Sequence, residues 1–131
     1  MKRIFDIICS LIILAIFFPI GFIIAIIISV SSKGGVFYRQ ERIGKNAVPF
    51  QLLKFRSMAV NADKSGQLTV GMRDSRITPI GYFIRKYKLD EFPQFINVLK
   101  GEMSIVGPRP EVKEFVDLYN TEQRAILNVK P

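Results

Sequence analysis

Asp90 and Glu91 stand side by side in the run Lys88-Leu89-Asp90-Glu91-Phe92-Pro93-Gln94. At the start of a helix, where the peptide dipoles favour negative charge, such a pair is well placed. One carboxylate can attack a phosphorus centre while its neighbour holds a divalent cation. The same residues also suit a plainer role, Asp as a helix cap and Glu as a first-turn stabiliser. On spacing alone the plainer role is the commoner. Composition narrows the chemistry further. The 131 residues include no His and a single Cys, Cys9. That excludes a Ser-His-Asp triad, an imidazole base, a His–Cys zinc site, a CxxC motif and an intramolecular disulfide. Nucleophilic or acid–base work therefore falls to Asp, Glu, Lys, Arg, Tyr or Ser. A metal would take oxygen ligands, which magnesium or manganese prefer.

Four cations are candidates for binding phosphate. Lys54 and Arg56 alternate along one expected strand and so point to one side. Arg85 lies five residues before Asp90, and Arg109 is held between Pro108 and Pro110. Together they could clamp a pyrophosphate, a group that the Arg fork matches well. Taken singly, each is an ordinary surface charge. Residues 33–88 carry twelve Lys and Arg against three Asp and Glu, a net of +9, while the whole chain carries +8. Gly34-Gly35 and Gly107 match neither GxxxxGK[ST] nor GxGxxG, so nucleotide loops of those kinds are not expected.

These residues need elements to hold them. Val36–Gln40 and Pro49–Arg56 read as two strands joined through Ile43-Gly44-Lys45-Asn46, a hairpin. Residues 57–78 are polar and suit a loop, with a short helix near Met58–Lys64. Thr78-Pro79 reads as an N-cap followed by Pro at the first helical position. The helix it opens, to about Tyr87, puts Ile80, Phe83, Ile84 and Tyr87 on one face and crowds Arg85, Lys86 and Lys88 on the rest. That pattern suits a membrane surface or a small core equally. Asp90 is expected to cap a helix that tolerates Pro93 in its first turn and ends at Gly101. Gly107-Pro108-Arg109-Pro110 is a rigid turn, and a last helix is expected from Glu111 to about Leu127.

Residues 7–32 contain no charged side chain. As a single helix they would be about 39 Å long, more than the ~30 Å hydrocarbon core of a bilayer. A signal peptide fits poorly, since its apolar region runs to only about 15 residues and ends at a small-residue cleavage site. Pro19 lies mid-segment, with Gly21 beside it, and should bend the helix. Lys2 and Arg3 precede the segment, and Lys33, Arg39, Arg42 and Lys45 follow it. Basic residues favour the cytoplasmic side, so both flanks are satisfied by a helix that dips in, breaks at Pro19 and returns. A single span is the competing reading. The expected fold is α+β, mainly α. A re-entrant membrane helix over residues 1–32 is followed by a small cytoplasmic domain over 33–131, with a β-hairpin and interfacial helices.

Several ordered motifs together resemble one family. They are Lys2-Arg3-Ile4-Phe5-Asp6, Phe37-Tyr38-Arg39-Gln40-Glu41-Arg42-Ile43-Gly44, Lys54-Phe55-Arg56-Ser57-Met58 and Leu89-Asp90-Glu91-Phe92-Pro93-Gln94. Asn97-Val98-Leu99-Lys100-Gly101-Glu102-Met103-Ser104 and Val106-Gly107-Pro108-Arg109-Pro110 complete the set. Over nearly its whole length the chain resembles the small monotopic phosphoglycosyl transferases, the bacterial sugar transferase family. The resemblance implies transfer of a sugar 1-phosphate from a UDP-sugar to polyprenyl phosphate, usually undecaprenyl phosphate, with release of UMP. It implies Asp90 as nucleophile through a phosphosugar–enzyme intermediate, and Glu91 as the ligand of Mg2+, with Mn2+ an alternative. It places Arg109 beside the nucleotide and Lys54, Arg56 and Arg85 around the phosphates. The site would face the cytoplasm at the bacterial inner membrane, in contact with membrane lipid, as the first membrane step of a polysaccharide or glycoconjugate.

The chain departs from the family pattern in places. Phe18-Pro19 stands where the family breaks its helix at Ser-Pro, Lys88 where a small hydroxyl residue is frequent, and Phe92 where Leu is commoner. Members continue beyond the position of Pro131, so the resemblance implies a C-terminally incomplete chain that is inactive by itself. The alternative function is a non-catalytic membrane-anchored module that binds anionic lipid through the basic face of residues 33–88. A chain inserted in a membrane has little use for nucleic acid, which is not an expected partner.

Overall fold

The computed structural model describes residues 1–65, 71 and 73–131. The elements in chain order are helix α1 (Lys2–Ser31), strands β1 (Phe37–Ile43) and β2 (Pro49–Phe55), and helices α2 (Pro79–Lys86), α3 (Gln94–Lys100), α4 (Lys113–Val116) and α5 (Thr121–Arg124). The protein is mainly helical, with an N-terminal apolar helix and one two-stranded antiparallel sheet, β1–β2. The hairpin is the one expected. Its tip carries a 3-10 turn over Lys45–Ala47, where Asn46 and Ala47 both take positive φ. The expected loop over 57–78 lies partly outside the described residues. Its described ends are pinned together by a Met58–Ile77 bridge and by Arg76, which donates to Ala62 O at 2.9 Å.

Helix α1 has thirty residues, about 45 Å of rise, and is long and apolar enough to cross a membrane. Ile12, Ile16, Phe18 and Ile23 are each more than half exposed. Helical structure continues through Pro19, the position at which the sequence predicts a bend. A proline removes one donor, and here that leaves the Ala15 carbonyl without its i+4 partner. The turns on either side stay helical. The described chain forms two compact units, and α1 passes from one to the other between Ala15 and Ile16.

The first unit comprises residues 1–15, 39–53 and 94–131. Its core is Phe50, Leu52, Val98 and Met103, with Ile105 packed against them. Phe50 and Leu52 alternate with exposed neighbours on β2, as a strand with one buried face requires. Asn97 is fully buried and serves the free edge of β2, accepting from Leu53 N–H at 3.0 Å and donating to Gln51 O at 2.8 Å. Helix α3 ends at Gly101, whose φ of 88° suits a residue without Cβ. Arg3 donates to the Val98 and Leu99 carbonyls there, at the end where a helix runs short of backbone donors. Asp6 is buried and accepts from Ser104 Oγ and from Ile105 N–H. The single helix expected over Glu111–Leu127 is two one-turn helices and a 3-10 turn over Ala125–Asn128. Asn120 is the reason. Its backbone is extended, and its side chain forms a capping box with Gln123, so one helix must stop before another starts.

The second unit comprises residues 16–38 and 54–93. Ile24, Ile28, Phe55 and Ile84 form its core, with Ile80, Leu89 and Phe92 packed against them. Helix α2 begins as expected, with Thr78 Oγ1 accepting from Gly81 N–H at 3.0 Å and Pro79 in the first turn. Gly81 is needed for packing, because a Cβ there would overlap the Ser57 carbonyl. The aromatic rings of Tyr82, Phe83 and Tyr87 remain half exposed.

Candidate active site

Asp90 and Glu91 sit in a 3-10 turn over Leu89–Glu91, ahead of α3 rather than at its cap. This corrects the expected capping role of Asp90. Lys88 enters the turn in the left-handed region, with φ of 60°. Leu89 and Phe92, on either side of the acidic pair, pack against the core of this unit, and Phe92 also meets the Phe17 ring at 5.2 Å. The two carboxylates are thus carried on a short turn fixed at both ends by apolar contacts.

The two acids have different surroundings. Asp90 is 7% exposed, and its Oδ1 is buried without a hydrogen-bond partner. Burial is the main influence that raises its pKa above the usual Asp range, and the neighbouring charge of Glu91 adds to it. Lys54 and Arg85 act in the opposite sense. Glu91 is more open and pairs with Lys54, Oε1 to Nζ at 3.7 Å. Arg85 donates to Ser57 Oγ at 3.4 Å, a long bond at the foot of α2. Lys54, Arg85, Asp90 and Glu91 therefore form one cluster within the second unit.

The other predicted cations are placed differently. Arg56 donates from Nε to Gly35 O at 3.0 Å and lies 6.0 Å from the Tyr38 ring centroid. Its recorded contacts are with that end of β1, not with the acidic pair. Arg109 belongs to the first unit. It is exposed and lines a cavity with Ile43, Gly44 and Tyr119. Sequence reasoning gave no role to Ser57, which receives Arg85, or to Asn97, which completes the edge of β2. No local signal marks either, because their partners lie 28 and 44–46 residues away.

Among the described residues no three His, Cys, Asp or Glu side chains cluster as a metal cage. Magnesium rarely needs one, since it commonly takes one or two carboxylates and completes its shell with water and substrate phosphate. The Glu91 carboxylate, more than a third exposed and close enough to act on Asp90, meets that requirement.

The sequence matches the bacterial sugar transferase family from residue 1 to residue 131. The chain belongs to that family. It is 46% identical over 121 residues to a Bacillus subtilis (strain 168) protein whose name provisionally assigns it undecaprenyl-phosphate N-acetylgalactosaminyl 1-phosphate transferase activity. The match covers 92% of the chain and 68% of that relative. It is 43% identical to the UDP-N-acetylgalactosamine-undecaprenyl-phosphate N-acetylgalactosaminephosphotransferase of Aeromonas hydrophila, over 92% of the chain and 29% of the relative. It is 46% identical to the UDP-glucose:undecaprenyl-phosphate glucose-1-phosphate transferase of Klebsiella pneumoniae, over 92% of the chain and 26% of the relative. The chain thus spans about two thirds of the first relative and under a third of the other two.

Proposed function

We propose that this chain carries the catalytic turn of a UDP-sugar:polyprenyl-phosphate sugar-1-phosphate transferase. The observation that carries the reading is the Asp90 carboxylate, buried and without a partner at Oδ1, beside Glu91 and under the field of Lys54 and Arg85. A structural acid in that position would be paired. An acid reserved for an incoming electrophile would not. The names of the relatives supply the substrate class, a UDP-sugar and undecaprenyl phosphate.

The chemistry runs in two displacements. An Asp90 oxygen attacks the sugar-side phosphorus of the UDP-sugar. A new P–O bond to the carboxylate forms, the bond to the bridging oxygen breaks, and UMP leaves. A lipid phosphate oxygen then attacks the same phosphorus, breaks the bond to Asp90 and restores the carboxylate. No net proton is consumed. Burial strips water from the nucleophile, while Lys54 and Arg85 hold positive charge where the diphosphate must lie. Glu91 would hold Mg2+, which when bound neutralises charge on the diphosphate and on departing UMP. Arg109 and Arg56 are assigned to the donor's phosphates and nucleotide by the same reading.

Residues 1–32 are proposed as the membrane element and 33–131 as the cytoplasmic part, at the inner membrane. Two observations support a re-entrant path. Lys2, Arg3 and Asp6 bind polar groups of residues 98–106 at one end of α1, and Ile24 and Ile28 lie in a protein core at the other. Each end of α1 is thus held in part by contacts with the rest of the chain. Labelling of single cysteines on both sides of α1 tests this, and a C-terminal label reached from outside the cell would refute it.

The decisive experiment screens UDP-sugars for UMP release by the full open reading frame with undecaprenyl phosphate. A radiolabelled sugar phosphate retained on denatured protein, and lost in Asp90→Asn, is the expected intermediate. Turnover that survives Asp90→Asn would overturn the nucleophile.

A further inference from the structure

Arg42 takes no part in the cluster around Asp90, yet it is one of the most thoroughly tied side chains of the first unit. Its guanidinium donates from Nε and Nη2 to Gln40 Oε1, at 3.2 and 2.9 Å, and from Nη1 to Pro110 O at 3.0 Å. The Glu111 carboxylate lies 3.7 Å from the same Nη1, and only 12% of the Arg42 side chain is exposed. Gln40 is itself buried. The backbone repeats the connection, because Ile43 N–H donates to Glu111 O at 2.9 Å in an isolated antiparallel bridge. One guanidinium therefore joins the end of β1 to the residue that follows Arg109. A turn of Gly107-Pro108-Arg109-Pro110 has little backbone freedom of its own, and its direction is set by where its ends are held. Arg109, in contrast, projects from this clamp exposed, with no hydrogen bond or ion pair to its side chain among the described residues, at a cavity also lined by Ile43 and Gly44. A cation left unpaired on a fixed turn is suited to an anionic ligand.

We infer that Arg42 is a positioning residue: it fixes the Pro108–Glu111 turn against β1 so that Arg109 is presented to a nucleoside diphosphate donor. The inference rests on the reading that Arg109 contacts the donor. Lysine cannot take its place, since a single ammonium on a flexible stem cannot serve Gln40 and Pro110 in one plane.

The test uses the full-length enzyme and steady-state UMP release, with the best UDP-sugar found by the screen as the varied substrate. Arg109→Gln should raise KM for the UDP-sugar by about tenfold or more, and Arg42→Gln and Arg42→Lys by about tenfold with kcat within about twofold. The double variant Arg42→Gln/Arg109→Gln should have the KM of Arg109→Gln alone, because Arg42 acts only through Arg109. KM for the lipid phosphate should not move. If Arg42→Gln fails to fold, Arg42→Lys and its double with Arg109→Gln carry the test, with melting temperature as the control. A wild-type KM in Arg42→Lys, beside a raised one in Arg109→Gln, overturns the inference and leaves the transferase reading standing. So does a double variant whose effects multiply, or an Arg42→Lys enzyme that loses only kcat in step with its folded fraction. A wild-type KM in Arg109→Gln overturns the role of Arg109 and the inference together. Absence of UMP release by the wild-type enzyme from every UDP-sugar overturns the function itself.

Discussion

Asp6 and Asp90 are both buried aspartates, one in each compact unit, and they are treated in opposite ways. Asp6, 3% exposed, accepts from the Ser104 hydroxyl, whose Oγ lies 2.9 and 3.0 Å from the two carboxylate oxygens, and Oδ1 also accepts from Ile105 N–H at 3.2 Å. Asp90, 7% exposed, leaves one buried oxygen with nothing. An unsatisfied buried acceptor costs about 1–3 kcal/mol, and among the described residues Asp90 Oδ1 shares that state with Ser10 Oγ alone. Burial alone does not distinguish a structural acid from a reactive one. The presence or absence of donors does. Asp6 fastens the first turns of α1 to the segment after α3, and Asp90, with Oδ1 left open, is the acid proposed as nucleophile.

The sharpest way to break this contrast is to remove each carboxylate in turn. Asp90→Asn should lower turnover by about three orders of magnitude or more, while its melting temperature stays at or above that of the parent. An ionised carboxylate that the fold disfavours is then gone. Calorimetry alongside UMP release checks both halves, and a large loss of stability would make Asp90 a structural acid after all. Asp6→Ala should do the reverse. It removes the acceptor of two donors and should cost about 2–3 kcal/mol of stability, with turnover per folded molecule nearly unchanged. Ser104→Ala is the milder version, about 1 kcal/mol, because Ile105 N–H still reaches Asp6. Chemical denaturation of the detergent-solubilised enzyme would rank the two, and equal losses would mean that Ser104 supplies the whole latch.

The same contrast explains what could be read from the sequence. Thr78-Pro79, the hairpin around Gly44 and the stop at Gly101 are local devices, each decided by two or three adjacent residues, and each is found where expected. The C-terminal helix was not legible as two pieces. The apolar spacing of Val112, Phe115, Val116 and Tyr119 runs on smoothly, and only the Asn120–Gln123 box interrupts it. The acidic pair was visible as chemistry but misplaced as structure. A Leu-Asp-Glu run ahead of a proline reads as a helix start, and nothing local reveals that Lys88 enters with positive φ or that Leu89 and Phe92 both turn into the core. Asp6 was beyond reach, for its partners lie 98 and 99 residues along the chain.

The smallest expected effect concerns the charge that tempers Asp90. Its folded pKa is raised, so protonation is favoured in the folded state relative to the unfolded one. The stability this gives is fully present below the unfolded Asp value. It is lost as pH rises through the folded value, where Asp90 must ionise in a desolvated site. The proposed reaction has the opposite sign, because there only the ionised Asp90 carboxylate attacks. The acid limb of the rate profile should therefore lie above the range of an ordinary Asp. Lys54 is one of two cations that hold this value down. Lys54→Gln should move the acid limb of kcat/KM to higher pH and move the pH-dependent loss of stability the same way. Glu91 also loses its 3.7 Å partner in that variant, which strengthens the repulsion on Asp90 and acts in the same direction. An unmoved or downward-shifted limb would mean that Asp90 does not feel Lys54. The separation between a satisfied acid and a reactive one would then rest on burial and the missing donor alone.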